Sequence, residues 1–255
     1  VPSCTTNSVA LTLQTDANGN QTSWEIRPIG GGAALCNGSG SPSNATVVEE
    51  CCLPNGCYQL LVYDSFGDGM TTGGYVLRDG ANNRIIDNAN DGVFTFTSSL
   101  AAGFCVPTGT DVLAAGSCDQ SGLYTNAVLY AAPNANVSAQ YGVGNQTDDG
   151  YQFWFFDPDG SYGRTIFKSH ANPGSPGSPS GATACASIKL SSIVTNPLPV
   201  NKLLNVRIRS RVNGMYSPYG PACRLTLANP TSSCVSQLVP TPGATFSCGA
   251  TGKVV

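Results

Sequence analysis

The sequence predicts an all-β, disulfide-rich protein, and three observations carry that prediction. Only 11% of its residues are charged, while 30 glycines and 17 prolines punctuate it. Short apolar runs separated by Gly, Asn, Pro and Ser recur along the chain, with no long helical periodicity between them. Eleven cysteines stand beside one histidine and form no paired CxxC knuckles, which points to disulfides and an oxidising compartment rather than to zinc. At 255 residues the chain has room for one large or two ordinary domains.

In chain order, residues 9–13 read as a strand, residues 16–20 (Asp16-Ala17-Asn18-Gly19-Asn20) as an oxygen-rich turn, and residues 22–26 as a second strand. Trp24 and Ile26 share one face and belong to the core, with Glu25 on the other. Residues 30–46 read as a small-residue loop closed by Cys36. Cys52 and Cys57 flank the turn Leu53-Pro54-Asn55-Gly56 at hairpin distance, which makes them the preferred pair. That leaves Cys36–Cys51 as a second, and Cys4–Cys105 bracket the domain as a third. Residues 57–63 form a strand with apolar side chains on both sides, as a central sandwich strand would have. It runs into Asp64-Ser65-Phe66-Gly67-Asp68-Gly69, where two carboxylates lie four residues apart among glycines able to fold a tight loop. Such a loop suits a hard cation such as calcium, which needs six to eight oxygens and so must recruit others. Residues 74–80, 84–87 and 92–97 supply three more strands, ending a first domain at residue 105.

The segments Thr15-Asp16, Gln21 to Ile26, Cys52 to Tyr58 and Val62 to Gly69 together resemble a β-sandwich module of secreted and surface proteins of Bacteroidetes. The resemblance covers about 90 residues and implies a jelly-roll-like sandwich with a structural calcium. Carried over residue by residue, it names Asp16, Asp64 and Asp68 as ligands, with Glu25 beside them. Gln21 stands where the module prefers Glu.

From residue 106 to 228 a second domain follows, with strands at 127–131, 151–156, 164–168, 187–190 and 201–212, and turns at Asp157-Pro158-Asp159-Gly160 and Asn213-Gly214. Residues 170–181 form a Pro/Gly/Ser excursion expected to be exposed and mobile. The 201–212 strand alternates, with Val206, Ile208 and Val212 facing in and Arg207, Arg209 and Arg211 facing out. The bland reading of that face is a solvated arginine ladder. The sharper one is an anion-binding surface in which Tyr216 and Tyr219 stack on the guanidinium groups. Asn205 to Arg211 and Tyr219 to Cys223 resemble the end of a fibronectin type III-like module found in gliding-associated and type IX-secreted proteins of the same phylum. That resemblance implies a second, fibronectin III/Ig-like sandwich in tandem with the first, closed by a Cys118–Cys223 disulfide. Residues 229–255 read as a polar tail with Cys234 and Cys248. A strand from that tail could pair with a sheet edge of another copy.

His170, the single histidine, lies in the excursion, so no Ser-His-Asp or Cys-His device has a base, and no phosphate-cradling or HExxH motif is present. Glu49-Glu50 and Asp148-Asp149 are adjacent acids that point apart. No apolar run approaches the ~18 residues of a membrane-spanning helix, and a start at Val1 suits a mature, exported form. The net charge of −3 hides an asymmetry, since residues 1–100 carry nine acids and three bases and the remainder six acids and nine bases. Acidic and basic halves of neighbouring copies would attract.

The expectation is therefore a secreted, non-enzymatic surface protein, a subunit of an extracellular fibre, sheath or adhesin built as a homo-oligomer or filament. Nucleic acid is not an expected partner. The alternative is a carbohydrate-binding accessory module of a secreted enzyme, with Tyr75, Tyr216 and Tyr219 as the surface aromatics that would hold glycans.

Overall fold

The computed structural model describes residues 4–100, 103–137, 149–160, 162–169 and 185–228. It is all-β, arranged as two sandwiches. The predicted excursion at 170–181 and the tail at 229–255 lie outside the described residues.

The first sandwich comprises β1 (Asn7–Gln14), β2 (Thr22–Pro28), β3 (Cys36–Ser39), β4 (Thr46–Leu53), β5 (Gly56–Asp64), β6 (Gly74–Asp79), β7 (Arg84–Asp87), β8 (Thr97–Ser99) and β9 (Phe104–Val106). One sheet runs β4-β1-β6-β7 and the other β3-β2-β5-β8, with β9 also on β5. Every pairing is antiparallel. Alternation places Val9, Leu11 and Leu13 of β1 against Trp24 and Ile26 of β2, Tyr58, Leu60 and Val62 of β5, and Tyr75 and Leu77 of β6, in one core. The expectation that β5 buries both faces holds on one side. On its other face Gln59 and Tyr63 are half-buried, and Tyr63 joins Glu25 and Arg27 in a polar layer that screens Leu61.

Two strands depart from the sequence reading. β3 lies inside the span read as a loop, bonded along β2 with Trp24 opposite Gly38. A Cβ at Gly38 would lie 2.6 Å from Trp24 Nε1, so only glycine lets the indole cover that strand. β4 alternates Val47, Glu49, Cys51 and Leu53 toward the interior with Val48, Glu50 and Cys52 outward, a pattern that the adjacent acids and cysteines obscure. Conversely, residues 92–97 are not one strand. Gly92 makes an isolated bridge to Met70, and the regular pairing begins at Thr97.

The disulfides follow from this layout. β4 belongs to one sheet and β5 to the other, so the turn at residues 54–55 crosses between sheets instead of closing a hairpin. Cys52 therefore cannot reach Cys57. Cys52 is bonded to Cys4, just ahead of β1 on which β4 lies, and Cys57 to Cys105, its register partner across β5 and β9. These replace the expected Cys52–Cys57 and Cys4–Cys105. Cys36–Cys51 joins β3 to β4 and hence one sheet to the other, and Cys118–Cys223 closes the second sandwich. Cys185 is buried in the core of the second sandwich.

The second sandwich comprises β10 (Gln120–Leu123), β11 (Val128–Tyr130), β12 (Gly150–Phe156), β13 (Gly163–Ser169), β14 (Ser187–Lys189), β15 (Leu203–Val212), β16 (Met215–Tyr216) and β17 (Cys223–Leu227). A large sheet, β10-β17-β15-β12-β13 with β16 on β15, faces the β11-β14 pair. β10 runs parallel to β17, and every other pair is antiparallel. A strand parallel to the last strand, with two strands opposite a larger sheet, is an Ig-like layout.

The run Tyr151 to Phe156 is apolar on both faces because both faces are covered. Phe153 and Phe155 lie beside Ile208 and Val206 in the second sandwich's own core. Trp154 and Phe156, on the opposite face, belong to the core of the first sandwich. The two sandwiches thus share one apolar interface, with β12 between them.

Candidate functional site

That shared interface changes the arginine ladder. Arg207 lies opposite Trp154 on the face that meets the first sandwich, and Arg207 and Arg211 are 1% and 6% exposed. The solvated face expected from sequence is replaced by a covered one. The expected stacking is present: the Arg209 guanidinium carbon lies 4.2 Å and 4.4 Å from the ring centroids of Tyr216 and Tyr219, and that of Arg211 lies 3.7 Å from Phe167. Arg207 donates from Nε to the Gly220 carbonyl at 2.6 Å and from Nη2 to the Tyr219 carbonyl at 2.8 Å. Burial pulls its pKa down to about 10 against the opposing pull of Tyr219 and Asp79, which leaves the guanidinium charged at neutral pH.

Polar contacts complete the junction. Asn205 acts as a stand-in for a strand neighbour: its Oδ1 accepts the Asp87 N–H at 2.7 Å and its Nδ2 donates to the Asp87 carbonyl at 2.8 Å. The Asp87 carboxylate is bridged by Arg84 and Arg224 at 3.0 Å and 2.9 Å. Arg84 also grips Asp119, and its carbonyl accepts the Ala222 N–H at 2.7 Å. At the other end, Asp159 in the β12–β13 turn accepts from Asn88 Nδ2 at 3.0 Å and Ser98 Oγ at 2.8 Å. Tyr75, expected at the surface, is 2% exposed and donates its hydroxyl to the Pro158 carbonyl at 3.1 Å. It cannot stack on a glycan.

The acidic loop is a second candidate. Asp64 ends β5 pointing toward the core, and its Oδ2 accepts N–H bonds from Gly67, Asp68 and Gly69 at 2.7, 2.7 and 2.8 Å. Its Oδ1 accepts from Phe66 at 3.3 Å. Burial alone would raise the Asp64 pKa, but these four bonds outweigh it and hold it below the ordinary value. Gly69, at φ +70 and with the Gly92 carbonyl 2.5 Å from where a Cβ would stand, lets the loop close. Asp68 is pushed up by partial desolvation, then by its hydrogen bond to Asp64 and by the charges of Asp64 and Asp16. Asp68 thus stands beside Asp64, and the charge of Asp16 reaches it. Glu25 is not among them. Thr22 pairs with Asp64, so Glu25, three residues on, falls on the outer face of the sheet. There it accepts the Tyr63 hydroxyl at 2.6 Å and pairs with Arg27 at 2.8 Å.

Tested against calcium, this donor set fits in part. Asp64 Oδ2 already accepts three N–H groups, which suits a loop anchor and not a metal ligand. Asp16, whose Oδ1 accepts the Asn18 N–H at 2.8 Å, and Asp68 retain oxygens for a cation. Among the described residues, the ligand-type atoms that lie close enough to share an ion are those of Cys118, Asp119 and Cys223, and these are committed: the two sulfurs are bonded to each other and Asp119 to Arg84.

The fold and its contacts define a disulfide-rich protein of two β-sandwiches joined through a common interface. No family model and no curated protein matches the chain. Among solved structures, the FN1–FN3 domains of chicken CNTN1 align with 84% of this chain and 58% of that chain's length, at 12% identity and a TM-score of 0.24. A likeness at that level carries no argument, and the architecture rests on the strand connectivity above. Four disulfides, with no helix among the described residues long and apolar enough to cross a membrane, fit an extracellular protein.

The sequence reading missed the interface itself. Its signal was present as two adjacent strands that alternate out of the usual pattern: an apolar run with no polar face, and beside it a strand of alternating arginines, of which Arg207 pairs with Trp154.

Proposed function

We propose that this protein is a secreted, non-enzymatic structural subunit of an extracellular fibre, sheath or adhesin. The observation that supports it best is the junction. Its buried arginines, its Asn205–Asp87 bridge and its shared apolar core hold two disulfide-closed sandwiches as one stiff body, which is what a load-bearing surface unit needs. Domain pairs on one chain commonly move against each other, whereas here Trp154 and Phe156 of the second sandwich lie inside the core of the first.

Assembly follows the charge asymmetry, acidic first sandwich against basic second, and β4 and β13 end their sheets among the described residues, where a strand of another copy can add. A structural calcium on Asp16 and Asp68, with Asp64 holding their loop, belongs to the same proposal. Electron microscopy of material recovered from producing cells tests the reading: ordered polymers are expected, and isolated particles alone would overturn it.

A further inference from the structure

A cavity of about 250 Å³ opens where the first sandwich meets the arginine face of the second, lined by Phe104, Trp154, Thr165, Arg207, Arg209 and Tyr219 among others. Its chemistry is unusual within this molecule. Arg27, Arg84 and Arg224 each hold a carboxylate. Arg207 and Arg209 have no carboxylate within ion-pairing distance among the described residues. Arg207 bonds two backbone carbonyls, and Arg209 bonds Gln152 Oε1 at 2.7 Å between two tyrosine rings. A guanidinium cannot shed its proton to escape burial. Desolvating a cation without a counter-charge is costly, so two such groups on one cavity wall favour an anion there.

The rest of the wall specifies more than charge. Tyr219, half-buried with its ring centroid 5.0 Å from that of the buried Trp154, presents aromatic surface beside the Arg209 guanidinium. A bare inorganic anion would leave that surface unused. The cavity falls below the ~300–1,000 Å³ of drug-sized sites, so it admits one ring bearing one acidic group. We propose that this cavity binds the uronic acid unit of an acidic polysaccharide, its carboxylate on the half-buried Arg209 with the buried charge of Arg207 behind it, and its ring against Tyr219. The assignment goes beyond the structural role and stands whether or not copies of the chain polymerise.

The test is isothermal titration of the full oxidised chain with D-glucuronate and D-galacturonate, against D-glucose and sodium sulfate. A charge-assisted contact to Arg209 is expected to make at least one uronate bind about tenfold or more tighter than glucose and sulfate, and added salt should weaken it. Arg207 is too buried to replace safely. R209Q should weaken uronate binding about tenfold. T165W, at an exposed position on the rim, should abolish it by filling the opening, with the thermal transition showing that each variant is folded. No uronate binding, sulfate binding as tightly as uronate, or binding that survives in the folded T165W protein would each overturn the assignment.

Discussion

Replacing Asp159 with asparagine probes the junction through its pH dependence. Asp159 sits in the turn between β12 and β13 and accepts hydrogen bonds from Asn88 and Ser98 of the first sandwich. Burial pushes its pKa from 3.8 up to about 6, with Asp157 and Asp91 adding to the rise, while the Ser98 bond and Lys202 oppose it. The folded state therefore holds this proton more tightly than the unfolded chain does. Its contribution is fully present below pH ~4 and is lost as pH rises through about 6. About two pKa units at ~1.4 kcal/mol each make that loss about 3 kcal/mol. Asparagine keeps the acceptor oxygen and removes the charge. Asp159→Asn should then unfold with a midpoint close to the parent's at pH 4, and be more stable by up to about 3 kcal/mol at pH 7. Denaturant unfolding of both oxidised proteins at pH 4, 5, 6 and 7 measures the difference. Because the two proteins share every other titrating group, the contributions of groups that do not act on Asp159, such as Asp64 and Asp119, cancel. A difference that stays flat across this range, or that grows toward low pH, would refute the buried-acid account of the junction.

Other perturbations test separate parts of the structure. Asn205→Ala leaves the Asp87 N–H and carbonyl unpaired inside the interface and should cost about 2–4 kcal/mol, read by denaturant titration. A loss under 1 kcal/mol would mean that the interface opens readily. The double replacement Cys36→Ser with Cys51→Ser frees a 15-residue separation between the two sheets and should cost about 3 kcal/mol, with the other three bridges intact by peptide mapping. Adding calcium should raise the melting temperature and a chelator should reverse it, with Asp68→Asn abolishing the response and Glu25→Gln leaving it unchanged. A parent melting temperature indifferent to both would remove the cation from the proposal.

What the sequence shows of this fold is the part written in alternation. β1, β2, β5 and β15 announce themselves because each places apolar side chains at every second position against a single core, and β12 does so as an unbroken apolar run between two cores. β3 and β4 do not, because one is a run of small residues under Trp24 and the other carries two acids and two cysteines on opposite faces. Disulfide pairing depends on which sheet each strand joins, and strand order is not a local property. The turn between Cys52 and Cys57 looks the same whether it closes a hairpin or crosses a sandwich. The acidic loop was legible as a feature but not in its roles. Spacing suggests Asp64 as a ligand, whereas the backbone of its own loop claims that carboxylate, and the pleat carries Glu25 to the far face. The covered arginine face required knowing that a second sheet lies on it.

The most direct measurement is disulfide mapping by mass spectrometry on protein harvested from outside producing cells, without reduction. The account predicts Cys4–Cys52, Cys36–Cys51, Cys57–Cys105 and Cys118–Cys223, each near full occupancy. Recovery of these eight cysteines as alkylated free thiols, or only from inside the cells, would contradict it.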